Sequence, residues 1–185
     1  MEMSQNSGQR LWNALRMFGW GFAALILLLP LVAMRFTREV NWSLGDFVVM
    51  GALLGGSGLI VELATRRVTS LFYRFGVVVA IGTAFLLVWV NLAVGFLGDE
   101  GNPANLMFLA VIAIAAIGAA AARGQPTGVS NAMLVAAGAQ VLAGATGLAM
   151  GWASPGGQGV YEVALGTTLF TPLWLLSAWL FRKEA

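Results

Sequence analysis

Six long apolar stretches run through this chain of 185 residues, at 17–34, 47–64, 75–98, 106–122, 132–153 and 161–181. Each is close to the ~20 residues that an α-helix needs to cross a hydrocarbon core of ~30 Å. Lipid offers no partner to a bare backbone N–H or C=O, so such segments must be helices or strands of a closed barrel. Barrel strands alternate in polarity over ~10 residues, whereas these runs are longer and continuously apolar. They read as helices. The expected fold is all-α, an integral membrane six-helix bundle with short loops. Its helices are expected at about 12–34, 47–64, 75–98, 103–122, 131–153 and 160–181. With 59% hydrophobic and 10% charged residues and a mean hydropathy of +0.83, little chain is left outside the spans. Residues 1–185 are therefore read as a single transmembrane domain.

The basic residues orient this pattern. Six crossings place Arg10, Arg16, Arg66, Arg67, Arg74, Arg123, Arg182 and Lys183 on one face and only Arg35 and Arg38 on the other. By the positive-inside rule the crowded face is cytoplasmic and both termini lie there. Trp12 and Trp179 then mark the inner interface, and Trp42 and Trp152 the outer one. The first stretch is long for a signal-peptide core, and Ala33-Met34-Arg35-Phe36 is no small-x-small cleavage site, so it reads as a retained helix. The net charge of +2 favours anionic lipid headgroups as partners. No basic patch on a folded surface is available for nucleic acid.

Chemistry is sparse. The chain has no cysteine and no histidine, which removes thiolate chemistry, iron–sulfur ligation and the commonest metal ligand and general base. No serine or threonine has a histidine to activate it, and no glycine-rich phosphate loop appears outside the apolar spans. The expectation is a protein without catalysis and without a cofactor. The tripeptide Asn102-Pro103-Ala104 looks like the half-helix motif of aquaporins, but there is no second copy, and Asn105 rather than an arginine follows it. It reads as a helix start, with Asn102 as N-cap and Pro103 at the first helical position. A capping box at Ser43 and Asp46 opens the second helix in the same way.

The remaining polar residues fall on stripes of small ones. Gly51, Gly55, Gly58 and Glu62 share one face of the second helix; Ala84, Val88, Asn91, Gly95 and Gly98 do so in the third. The fifth repeats the pattern with Ala137, Gln140, Gly144, Gly147 and Gly151. Small faces let helices approach closely, and one polar group can then hydrogen-bond across the contact. Glu62, Asn91 and Gln140 are thus candidate helix-contact residues. Intramembrane polar groups also mark solute routes, which makes the same three a possible polar path, at three different depths. Glu62 has a local partner one turn along in Arg66. On the outer side Asp46, Asp99, Glu100 and Glu162, with Asn102 and Asn105 in the turn after the third helix, offer oxygen ligands of the kind that hold a hard cation.

Residues 84–95 lead into the turn at 98–107 through Trp89, Asn91, Gly95, Asp99 and Asn102. This segment resembles a family of small, uncharacterised polytopic inner-membrane proteins of proteobacteria. The likeness is carried mainly by the third and fourth helices and implies a bacterial inner membrane, with no activity attached to it. The expected function is association without catalysis, as a homo-oligomer or as an accessory or assembly subunit beside other membrane subunits. A small channel or transporter for an ion or small solute is the alternative.

Overall fold

A computed structural model describes residues 2–155 and 157–185, with side chains described from residue 8 onward. Among the described residues the chain is all-helical and contains no strand. The helices are α1 (Glu2–Ala33), α2 (Leu44–Thr65), α3 (Leu71–Ala93), α4 (Leu106–Ala121), α5 (Pro126–Ala149) and α6 (Gly157–Arg182). A single 3-10 turn, Pro103–Asn105, leads into α4. All six are long and apolar enough to cross a membrane, counting the 3-10 turn with α4. They fall into two compact units, α1 with α2 and then residues from Phe72 on.

In the first unit, α1 runs on through Pro30, which sits in its last turn. The capping box expected at α2 is present. Ser43 Oγ accepts from the Asp46 amide at 3.3 Å, and the Asp46 carboxylate accepts from the Ser43 amide at 2.7 Å. That exchange satisfies two of the donors left open at a helix start. The two helices are antiparallel, since Trp20 lies over Gly58 and Arg16 reaches Glu62.

In the second unit, α4 and α5 pack antiparallel through small residues. Gly118 lies against Ala132, and Gly128 against Ala122. Between α5 and α6, Ser130 Oγ donates to the Ala178 carbonyl at 2.8 Å, and further along Gly144 meets the side chain of Thr167. Ser177 Oγ donates to the Gly76 carbonyl at 2.9 Å and ties α6 to α3. At that same end, Tyr73 packs edge-on against Phe181 and donates to the Gly124 carbonyl in the α4–α5 turn. These serine and tyrosine hydroxyls are buried in contacts where hydrocarbon would leave them unsatisfied.

Several boundaries differ from the sequence expectation. α1 starts at Glu2, well before residue 12, and α5 starts at Pro126, where a proline without N–H fits the first position. Arg74, expected in a connection, lies in the first turn of α3 and is buried. The difference that matters most for the packing is at the far end of α3, expected to reach 98 and ending at Ala93. Gly95 and Gly98 take positive φ, +70° and +74°, a region where glycine is at ease and a helix cannot continue. α5 stops at Ala149 for a similar reason, with Gly151 at φ +68°. Gly95, Gly98 and Gly151 are therefore loop residues, not part of helical stripes.

Candidate functional site

Glu62 lies in the last turn of α2, and its partners lie across the helix pair. Arg16 grips it with both ends of the guanidinium, Nε to Oε1 at 2.9 Å and Nη2 to Oε2 at 2.6 Å. The indole of Trp20 donates to Oε1 at 3.1 Å. Arg16 and Trp20 are one turn apart on α1, so one face delivers both donors. The local pairing expected with Arg66 gives way to this arrangement because a two-pronged fork and an indole satisfy more lone pairs. Beside it runs an open groove of about 600 Å³ lined by Asn13, Arg16, Met17, Trp20 and Glu62. Arg16 and Trp20 were missed as partners because the spacing between two helices is invisible in a linear pattern.

Asn91 and Gln140 belong to the second unit and both face its interior, at 7% and 0% exposure. Asn91 Nδ2 donates back to the Leu87 carbonyl at 2.7 Å on its own helix, the self-contained bond that polar residues make in apolar helices. Among the described residues its Oδ1 has no partner, and neither has the amide nitrogen or oxygen of Gln140. The expected hydrogen bond across a helix contact is thus made by neither residue among those described. Ser130 and Ser177 make such bonds, and Tyr73 bonds a turn carbonyl.

The turn between α3 and α4 is built around Asn105. Its Oδ1 accepts from the amides of Phe96 and Leu97, both at 2.9 Å, and its Nδ2 donates to the Asp99 carbonyl at 2.7 Å and the Leu97 carbonyl at 3.4 Å. This one amide replaces the backbone partners lost where α3 ends. The residues it holds are turned inward. Phe96 packs on Phe108 and Phe170 with ring centroids 4.8 and 5.5 Å away. Leu97 is fully buried against Gly147, and Phe96 sits over Gly166. Gly147 therefore receives a loop side chain, where the stripe reading expected a helix. Asn102 caps the 3-10 turn through the Ala104 amide at 3.0 Å, as expected, and also donates to the Trp152 carbonyl at 3.3 Å. Ser154 Oγ donates to the Gly98 carbonyl at 2.9 Å, a second link to the α5–α6 turn.

The carboxylates of this turn have local roles. Asp99 Oδ1 accepts from the Gly101 amide at 2.9 Å, and Glu100 is exposed. Glu162 accepts from Gln158 Nε2 at 3.1 Å one turn earlier on α6. Among the described residues no three of His, Cys, Asp or Glu gather as a metal site, so these carboxylates do not form the cluster that a hard cation would need. With Asn105 spent on backbone groups, the turn is a structural clasp. No family model, curated protein or solved structure matches the chain.

Proposed function

We propose that this chain is a non-catalytic multi-pass protein of the bacterial inner membrane that acts by association. It would serve as a homo-oligomer or as an accessory or assembly subunit of a larger membrane complex. One contrast carries this reading. In the second unit the glycines at 118, 144, 147 and 166 each have another side chain where a Cβ would stand, while Gly82 and Gly138 are open. In the α1–α2 pair Trp20 covers Gly58, and among the described residues of the pair no atom stands over the consecutive turns at Gly51, Gly55 and Gly56. Gly51 and Gly55 are one turn apart on α2, which forms a small-xxx-small groove. Two apolar surfaces gain little from meeting in lipid, so close backbone approach at such a groove is what drives helices together.

The basic residues support an orientation with both termini in the cytoplasm, and the lipids of that leaflet are the surrounding partners, with no role for nucleic acid. The test is the mass of the purified protein in native lipid discs. A multimer, or a co-purifying membrane subunit, is expected, and Gly55→Leu should reduce that assembly to single copies. A strict monomer without any partner after mild crosslinking refutes the reading.

A small channel or transporter is the second reading, favoured by the unpaired amide of Gln140 and the open Oδ1 of Asn91. Solute flux in proteoliposomes that falls on Asn91→Leu or Gln140→Leu would support it. Flux unchanged by both, and by Glu62→Gln, removes these residues from any route.

A further inference from the structure

The second unit encloses polar atoms that none of the described residues satisfies. Gln140 is fully buried, and both its Nε2 and its Oε1 lack a hydrogen-bond partner among the described residues. The same holds for the indole Nε1 of Trp174, which is 1% exposed, and for the Thr171 hydroxyl. Two contacts between α5 and α6 set the level of these groups. Ser130 meets Ala178 towards one end, and Gly144 meets Thr167 further along. Gln140 lies between Ser130 and Gly144 on α5, and Thr171 and Trp174 lie between Thr167 and Ala178 on α6. All three therefore lie at one level along the α5–α6 pair, near the middle of both helices.

A bare amide and a bare indole N–H in such a place are unfavourable. Their chemistry decides what can relieve them. The indole only donates, the glutamine amide donates and accepts, and the hydroxyl does both. A cation would satisfy the oxygens and leave the N–H groups open; an anion would do the reverse. Neither would meet a countercharge on α5 or α6 at this level, because α4 and α5 carry no charged residue, those of α6 are Glu162 and Arg182 towards its ends, and the buried Arg74 of α3 lies at the end of that helix where Ser177 meets Gly76. A small neutral molecule that donates and accepts fits the whole set, and water is the smallest. Gln140 is flanked on its own helix by Ala136, Ala137 and Ala143, so α5 itself adds little bulk around the amide.

We propose that the second unit binds internal water halfway along α5 and α6, held by Gln140 together with the Trp174 indole and the Thr171 hydroxyl. This is independent of the association reading and needs no partner chain.

The test is water-edited solid-state NMR on the full chain in lipid bilayers, with glutamine side chains and tryptophan indoles isotope-labelled. Gln140→Met and Trp174→Phe assign the signals. Polarisation from water is expected to reach the Gln140 amide and the Trp174 indole several-fold faster than the backbone of Ala136, which is equally buried. Transfer no faster than at Ala136 overturns the proposal. In Gln140→Met the transfer to the Trp174 indole should slow several-fold, and an unchanged rate also overturns it. Should that variant not fold, the measurement on the unmodified chain decides alone.

Discussion

Asn105 shows how much one side chain can carry when it replaces backbone partners. Its two polar atoms serve four backbone groups, and it is 6% exposed. Asn105→Ala leaves the buried amides of Phe96 and Leu97 without acceptors, and each unsatisfied buried group costs about 1–3 kcal/mol. The variant is expected to lose about 2–4 kcal/mol in denaturant unfolding in detergent. Asn102→Ala, which removes one cap and one longer bond, should lose about 1 kcal/mol in the same assay. If the two losses come out equal, Asn105 is an ordinary turn residue. Glu62 works at the same scale with different chemistry, because one of its partners, Arg16, is charged and the pair is only partly buried. A double-mutant cycle over Arg16→Gln and Glu62→Gln should give a coupling of about 1 kcal/mol or less, in keeping with a partly exposed pair. Its value should shrink in high salt.

At the level of elements, the fit of Leu97 against Gly147 and of Phe96 over Gly166 joins the loop after α3 to two helices. A methyl group at position 147 would overlap Leu97, so Gly147→Ala is expected to destabilise by about 1–3 kcal/mol. Leu97→Ala in the same chain should recover part of that loss, and a strictly additive result would show that the two do not touch. This contact also marks where the sequence stops being readable. The spans were legible because runs of that length and polarity have one stable form in lipid. The starts of α2 and of the turn before α4 were legible too, since Ser43, Asp46, Asn102 and Pro103 carry their capping chemistry locally. The ends of α3 and α5 were not. Val94, Gly95, Phe96 and Leu97 are apolar enough to extend a span, and glycine in an apolar run reads alike as a packing residue or as a bend. Only the inward seat for Phe96 and Leu97 separates the two, and α5 and α6 supply it. Glu62 misled for the same reason, with a basic residue one turn away in the chain and a better one across the pair.

For the whole molecule, the two units are expected to respond differently to separation. Residues 72–185 produced without α1 and α2 should keep a cooperative unfolding transition, followed by the fluorescence of Trp174, because their hydrogen bonds and aromatic contacts close among themselves. A broad, non-cooperative loss of signal would show that the first unit is needed for folding. Orientation is open to a direct experiment, since the chain lacks cysteine and a single one can be placed at will. Glu100→Cys should react with an impermeant maleimide in intact cells stripped of their outer membrane, and Gln125→Cys only after lysis. The reverse pattern refutes the orientation inferred from the arginines.

The seat for Phe96 and Leu97 also bears on how the chain is made. Both residues leave the ribosome before the helices that carry Gly147 and Gly166 exist. Leu97 can meet Gly147 only once α5 is made, and Phe96 can sit over Gly166 only once α6 is. The loop after α3 is therefore clasped by Asn105 before its two apolar side chains have anywhere to go, and a nascent chain halted after α4 would hold the turn with Phe96 and Leu97 still unseated.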